Sequence, residues 1–212
     1  MDFIHSENQM QFRDLITYPE ISIAERSFTF IAGASGCGKS TYLKLLNRTV
    51  LPSQGTIMYQ GKNIAGLPVL QYRKEMLLAP QAVFLLDGSI EDNFRFYYEA
   101  REETPPSRHQ MKQYLETCCV NFTPSDDCTT LSGGERQRVF LAIFLSLASK
   151  VLLLDEPTAA LDEATSIALL SSIRDYCRSQ QITAICVCHN DSLIEKFSDA
   201  TIRLEADHER CR

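Results

Sequence analysis

The chain has 212 residues, enough for one domain of ordinary size and long enough to bury a core without disulfide staples. Lys and Arg number 21 against 27 Asp and Glu, and the resulting formal charge of -6 argues against nucleic acid as the main partner. Apolar residues make up 44% of the chain, and no run approaches the ~18 apolar residues of a membrane span. We therefore expect neither a transmembrane nor a disordered or collagen-like chain.

Short apolar runs alternate along the chain with helical patterns. Strands are predicted, in chain order, at residues 10–16, 21–23, 27–32, 56–59, 76–79, 151–154, 182–188 and 199–204. Helices are predicted at residues 39–48, 135–148 and 163–177, and residues 89–119 are helical with a break at 104–106. Such alternation is typical of a mostly parallel sheet covered by helices. We expect one domain over residues 1–212, with a helical subdomain inserted at about 83–149.

The eight cysteines do not indicate a disulfide framework. None forms a CxxC pair, and residues 1–10 lack the apolar core of a signal peptide. We expect a cytosolic chain whose reduced thiols are mostly small buried apolar groups. His208 and Cys211 are the one pair that could instead serve a metal or redox role.

A glycine-rich loop follows a predicted strand and opens a predicted helix. Its sequence, Gly33-Ala34-Ser35-Gly36-Cys37-Gly38-Lys39-Ser40, fits the pattern GxxxxGK[ST] in the required context. Glycines let successive N–H groups point at phosphate oxygens, and the helix N-terminus adds a positive dipole end. Lys39 would bind the β- and γ-phosphates and Ser40 would offer a hydroxyl to Mg²⁺. We predict a nucleotide site over this loop and the adjoining Thr41.

A second site signal is the acidic end of the predicted strand at 151–154. Asp155 and Glu156 follow four apolar residues, so both carboxylates would reach the carboxyl edge of a parallel sheet, where ligands bind. Asp155 would hold Mg²⁺. Glu156 would accept a proton from an attacking water.

The motif before that strand, Leu131-Ser132-Gly133-Gly134-Glu135-Arg136-Gln137-Arg138, resembles the signature motif of ATP-binding cassette (ABC) proteins. Gln81 is similar to the Q-loop glutamine of that family, Asp162 to its D-loop aspartate and His189 to its switch histidine. The resemblance covers nearly the whole chain. It implies an α/β P-loop NTPase with a mostly parallel central sheet, an N-terminal antiparallel β region and an inserted helical subdomain.

The resemblance also implies a role for each motif in Mg²⁺-dependent ATP hydrolysis. Gln81 would contact Mg²⁺ and the attacking water, and His189 would hydrogen bond to the γ-phosphate. Asp162 would act across a dimer, or simply cap the helix that follows it. The signature residues would bind the γ-phosphate held by a second copy, so that two ATP molecules lie between head-to-tail subunits; these residues are Ser132, Gly133, Gly134 and Glu135.

Adenine recognition is where the sequence departs from the family pattern. The family has an aromatic residue about two dozen positions before the phosphate loop, and here that position is near Met10. Tyr18 is the nearest replacement and Phe12 the next, and both could equally be core residues.

The segment after Gln81 is rich in aromatic residues, including Phe84, Phe94, Phe96 and Tyr97. In the resembled transporters this region receives a helix of the membrane subunit, so part of it would be a docking groove; the alternative is the core of the helical subdomain. The resemblance therefore implies the ATPase subunit of a transporter, peripheral at the cytoplasmic face of the membrane, with a separate permease.

Two finer questions concern the kind of ABC protein. Export is favoured by the exporter-like residues 85–93 and by the compact length, which resembles small two-component transporters such as the iron-efflux type. The alternative is a soluble ABC ATPase that acts on nucleic acid or ribosomes. Only residues 82–130 separate Gln81 from the signature, too few for long coiled coils, and the chain carries one cassette. We expect no nucleic-acid partner.

Overall fold

The computed structural model describes residues 3–13 and 15–205. The strands of this part of the chain are β1 (Ile4–Phe12), β2 (Ile16–Thr17), β3 (Ser22–Ile23), β4 (Phe28–Gly33), β5 (Gln54–Tyr59), β6 (Lys62–Asn63), β7 (Met76–Ala79), β8 (Val151–Asp155), β9 (Thr183–Val187) and β10 (Ala200–Leu204). The helices are α1 (Lys39–Leu46), α2 (Val69–Glu75), α3 (Ile90–Glu99), α4 (Arg108–Thr117), α5 (Gly133–Leu147), α6 (Glu163–Ser179) and α7 (Asp191–Phe197).

A five-stranded parallel sheet positions the site. Its strand order is β10-β4-β9-β8-β7, and all four pairings are parallel. Every residue of β8 and β9 is buried, as expected for parallel strands covered on both faces. Because parallel strands end at one edge, the loop after β4 and the acidic end of β8 lie on the same side of the sheet. The predicted α/β P-loop fold is confirmed.

The N-terminal region forms a separate antiparallel sheet. Its order is β2-β1-β5-β6, with β3 also paired to β1. The predicted strand at 10–16 is wrong in its bounds, since β1 begins at Ile4 and ends at Phe12. The register of β1 shifts between Glu7 and Gln11, where Asn8 and Gln9 take positive φ. Such a bulge breaks the alternation of apolar and polar residues by which strands are found.

Three helices lie between β7 and β8, with a break between α3 and α4 where the prolines are. Serine begins each of them in a capping box, formed by Ser89, Ser107 and Ser132. Phe94 and Leu115 of these helices share one hydrophobic cluster with Leu152 and Ala184 of the sheet. The limits of a helical subdomain at about 83–149 stay a prediction.

The seven cysteines of the described residues are free thiols. Six are buried and Cys119 is partly exposed. Burial raises the pKa of the Cys177 thiol to about 12 and also raises the pKa of Cys118 and Cys186. These thiols therefore pack as small apolar groups. His208 and Cys211 lie outside the described residues.

Across residues 3–13 and 15–205, no helix combines the length and the apolarity needed to cross a membrane.

Candidate nucleotide site

The phosphate loop connects β4 to α1 and depends on glycine at two close approaches. Gly33 has φ +148°, and a Cβ there would lie 2.3 Å from the carbonyl oxygen of Leu204. Gly38 has φ +95°, and its Cβ would lie 2.8 Å from the Tyr18 hydroxyl. A side chain at either position would meet backbone or buried core as well as an unfavourable φ. The loop can therefore keep this path only with glycine.

Lys39 begins α1 and turns back over the loop. Its Nζ donates hydrogen bonds to the carbonyl oxygens of Gly33 at 2.9 Å and Ala34 at 2.8 Å. The residue is only 5% exposed. The loop carbonyls thus hold the ammonium group within the turn where phosphate oxygens would bind.

Ser40 and Asp155 meet at the edge of the sheet. The Ser40 hydroxyl donates to Asp155 Oδ1 at 2.8 Å. Burial, together with the neighbouring Glu156 charge, raises the pKa of Asp155, and the Ser40 hydrogen bond partly opposes this. Hydroxyl and carboxylate oxygens are ligands that Mg²⁺ prefers. The described residues contain no cluster of three His, Cys, Asp or Glu side chains suited to a metal, so Mg²⁺ here would share its coordination with nucleotide phosphates.

The carboxylate of Glu156 is held by two other segments of the chain. Gln81 Nε2 donates to Glu156 Oε2 at 2.8 Å, and His189 Nε2 lies 2.6 Å from Glu156 Oε1. Gln81 follows β7 and His189 follows β9, so three strand ends converge on one carboxylate. The structure therefore brings together the three polar groups that the sequence proposed for the hydrolytic step.

The signature motif forms a capped helix start. The Ser132 hydroxyl donates to Glu135 Oε2 at 2.6 Å, and this bond lowers the pKa of the Glu135 carboxyl. The first residues of α5 are Gly133 and Gly134. Asp162 caps α6 by accepting from the Thr165 amide at 2.9 Å, which is the capping role that the sequence left open.

The structure corrects the hypothesis that Tyr18 stacks on adenine. Tyr18 is 1% exposed, its ring packs 5.2 Å from that of Tyr42, and its hydroxyl donates to the Gly38 carbonyl at 3.0 Å. Neither face of the Tyr18 ring is free to stack on a base. Tyr18 instead stabilises the phosphate loop through its hydrogen bond to Gly38. Phe12 is only partly buried, and the guanidinium carbon of Arg13 lies 5.1 Å from its ring centroid.

The sequence analysis assigned no role to three polar residues that hold backbone segments in and around the site. Arg136 donates to the carbonyls of Leu85 and Cys128, and Gln137 Nε2 donates to the Glu156 carbonyl. Asn93, which is fully buried, hydrogen bonds to the backbone of residues 86 and 89. Asn93 had a readable signal, because it occupies the apolar face of α3 between Ile90 and Phe94.

A phosphate loop with a buried lysine, an acidic strand end and a capped signature helix define a P-loop ATPase of the cassette type. Residues 18–159 match the ABC transporter family, well over half of the chain. The chain belongs to this family, and it is an ATP-binding cassette with ATPase activity.

Similar proteins include two bacterial transporter subunits. The chain is 32% identical over 184 residues to the probable iron export ATP-binding protein FetA of Escherichia coli K12, covering 87% of this chain and 81% of that protein. It is 32% identical over 198 residues to the phosphite import ATP-binding protein PxtA of Stutzerimonas stutzeri, covering 87% of this chain and 72% of that protein. The fold matches a dimeric post-hydrolysis structure of the ATP-binding cassette MJ0796 bound to ADP and Pi, with TM-score 0.82, 21% identity and 96% of each chain covered.

Proposed function

We propose that the chain is the ATP-hydrolysing subunit of a membrane transporter, paired head to tail with a second copy and driving a separate permease at the cytoplasmic face. The observation that carries the proposal is the convergence of Gln81 and His189 on the Glu156 carboxylate, beside the Ser40 and Asp155 pair.

In this proposal each group has one task. Lys39 and the loop N–H groups bind phosphate oxygens, and Ser40, Asp155 and Gln81 hold Mg²⁺, which when bound would neutralise phosphate charge. Glu156 accepts the proton of the attacking water, while His189 keeps the carboxylate and the terminal phosphate aligned. The largest contribution to rate is electrostatic, because charge develops on the phosphoryl oxygens that these groups face.

We assign the adenine contact to Phe12. It ends β1, next to the turn that leads into β2, and Ile16 of β2 packs against the phosphate loop close to Gly38. Phe12 pairs with Ile16 across the two strands, so its partly exposed ring lies one strand away from the phosphate loop. Replacing Phe12 by alanine should weaken ATP binding and leave binding of inorganic triphosphate unchanged.

The need for a second copy follows from the signature motif. A capped helix start with two bare glycines is an anion site, and in the family it serves the nucleotide of the opposite subunit. The dimeric MJ0796 cassette, similar in fold over 96% of this chain, supports the same pairing here.

Glu156→Gln tests the hydrolytic assignment. The variant keeps the hydrogen-bonding shape but cannot take a proton, so the steady-state rate should fall by roughly 10²–10⁴-fold while ATP binding persists. ATP should also convert the variant to a stable dimer in size-exclusion chromatography. Glu195→Gln, at an exposed glutamate of α7, is the matched control. Hydrolysis by Glu156→Gln at the parental rate would show that Glu156 is not the base.

We propose that a groove beside the aromatic segment receives a helix of the permease. It has a volume of about 470 Å³, and its lining includes the apolar side chains of Leu70, Leu77, Tyr97, Phe144 and Leu147. The exposed aromatic residues Phe84 and Phe96 lie 6.0 Å apart by ring centroids beside Tyr97. Phe94 and Tyr98, by contrast, are buried in the core. The aromatic segment thus has an exposed part, which supports the docking proposal, and a buried part, which belongs to the core.

The charge of the groove indicates the chemistry of its partner. Three cations and one carboxylate line it: Arg73, Lys74, Arg101 and Glu102. Lys74 and Arg101 pair with Glu103, whereas Arg73 donates to two backbone carbonyls just after α1 and has no carboxylate within 4 Å among the described residues. An occupant with an apolar face and one acidic side chain would complete this arrangement. We therefore propose that the permease inserts an amphipathic helix carrying an Asp or Glu opposite Arg73.

Phe96→Ser tests the docking surface. With the permease present, the variant should lose membrane association and keep the basal ATPase rate, because Phe96 is 38% exposed and distant in sequence from the motifs. Leu51→Ser, at a residue 63% exposed outside the groove, is the control for added polarity. If Phe96→Ser fails to fold while Leu51→Ser folds, Phe96 belongs to the core instead.

The direction of transport we propose is export. The first relative described above is a probable iron export protein, and this chain covers 81% of its length. The second relative is an import protein. Nucleotide-dependent uptake of the cargo into inside-out vesicles, which corresponds to export from cells, would support this direction. Stimulation of the ATPase by DNA or ribosomes, without a permease, would favour the soluble alternative.

A further inference from the structure

We infer that Gln137 is a positioning residue that aligns Glu156 and links the two ATP sites of the proposed dimer. Gln137 lies one turn into the signature helix and is 7% exposed. Its Nε2 donates to the backbone carbonyl of Glu156 at 3.2 Å. Gln137 belongs to the signature motif quoted above, but the resemblance implies a role only for residues 132–135 of that motif.

The backbone at Glu156 requires external support. Its φ is +52°, in the left-handed region that a non-glycine residue adopts at a cost. The amide of Glu156 donates to the Val187 carbonyl at 3.2 Å, and its carbonyl accepts from Ala159 at 3.3 Å and from Gln137. Of these three partners only Gln137 contributes a side chain. It holds the Glu156 carbonyl from helix α5, while the end of β9 holds the Glu156 amide.

The same face of α5 also contacts the D-loop, residues 160–162. Gly134 lies three residues before Gln137 and therefore on the same side of the helix. A Cβ at Gly134 would lie 3.1 Å from Leu161 Cδ2 and 3.3 Å from the Ala160 carbonyl. The first turns of the signature helix thus rest directly on residues 156–161 of their own chain.

In the proposed dimer, this contact would connect the two ATP sites through the signature helix. In the proposed dimer the signature helix binds the phosphate of the opposite site, while Gln137 of that helix holds the base of its own site. A shift of the helix on closing over one nucleotide therefore changes the backbone that carries Glu156 at the other. This inference rests on the proposed head-to-tail dimer.

The buried Gln137 Oε1 has no partner among the described residues. An unpaired acceptor in a buried position costs stability, so the amide cannot be explained as a stabilising core residue alone. The amide nitrogen of Gln137, by contrast, does have a partner, the Glu156 carbonyl.

Gln137→Met tests the inference, because methionine has the same length and lacks the donor. The kcat for ATP should fall about tenfold, the effect of losing one such bond in the transition state, with KM within about twofold of the parent. Asn47→Leu is the matched control: Asn47 is also 7% exposed, and its Nδ2 donates to the Met76 carbonyl at 3.2 Å, away from Glu156. It should lose comparable stability and keep kcat.

A double-mutant cycle with Glu156→Gln separates positioning from general loosening. In the Glu156→Gln background, Gln137→Met should produce no further fall in single-turnover rate, because its effect passes through Glu156. Additive effects, or an unchanged kcat in Gln137→Met, would overturn the inference. If the Glu156→Gln variant forms no dimer with ATP, that result would instead contradict the proposed dimer and leave the positioning result intact.

Discussion

Replacing Asn93 by leucine should release residues 84–89, the segment that carries Phe84. Asn93 is fully buried, and leucine has the same branched side-chain skeleton with bulkier methyl groups, so the change removes the hydrogen bonds and keeps the shape of the side chain. Asn93 Oδ1 accepts from the Leu86 amide at 2.7 Å, and its Nδ2 donates to the carbonyls of Leu86 at 3.1 Å and Ser89 at 3.0 Å.

Asn93 Nδ2 also donates to Cys128 Sγ at 3.4 Å, but thiol sulfur is a weak acceptor, so the magnitude follows from the three bonds to the backbone. Each neutral hydrogen bond contributes about 1 kcal/mol net, so the free energy of unfolding should fall by ~3 kcal/mol at most. Leu86 and Ser89 are only half-buried, so water can reach part of the released backbone, and we expect about 2 kcal/mol. If the loss is local, exchange of the Leu86 amide should accelerate about 30-fold, since ~1.4 kcal/mol corresponds to tenfold.

Urea unfolding and amide hydrogen exchange measure the two quantities. Asn121→Leu, at an exposed asparagine, is the control for the amide-to-leucine change itself. An unchanged unfolding midpoint together with unchanged exchange at Leu86 would refute the view that Asn93 holds the segment.

Three further results are expected. Gly33→Ala should lower the free energy of unfolding by roughly 1–3 kcal/mol in urea titrations, because its Cβ would lie 2.3 Å from the Leu204 carbonyl at a positive φ; an unchanged midpoint would contradict the geometry. Arg108→Gln should destabilise the protein above about pH 4.5 and have no such effect in strong acid. The Arg108 hydrogen bond lowers the pKa of Glu91 below its usual 4.5, so this stabilisation is present above that value and disappears as the pH falls through the lowered pKa. Acid titration of both proteins by circular dichroism checks this, and a difference that persists at pH 2 would refute it. Tyr18→Phe should cost ~1 kcal/mol through loss of its bond to the loop and leave the preference for ATP over GTP unchanged; altered base selectivity in binding assays would restore Tyr18 to the base site.

The sequence was most informative where a motif and a strand end coincide. The phosphate loop, the acidic end of β8 and His189 were all placed correctly on strand ends, because buried parallel strands read as plain apolar runs. Helices α2 and α7 were missed, since each has only seven residues. For α7 the signal was present: Asn190 caps the amides of Ser192 and Leu193.

Contacts between distant segments could not be read in the same way. Arg136 reaches the Leu85 carbonyl across 51 positions of sequence, and Gln137 reaches Glu156 across 19. Both bonds are accepted by backbone carbonyls, which every residue type has. No pattern of residue types can therefore predict them. The sequence left the role of Tyr18 open for a similar reason: burial decides between a base contact and a core residue, and burial is a property of the fold.

The buried thiols give the protein an internal set of reporters. They lie in the phosphate loop, at the end of α4, before the signature helix, in α6 and along β9. A disulfide reagent reacts with a thiolate it can reach, so each buried thiol reacts only when its own region opens. Peptide mapping after timed exposure to the reagent would therefore rank the opening rates of these five regions without any substitution. Bound nucleotide should slow thiol modification in the regions that it contacts.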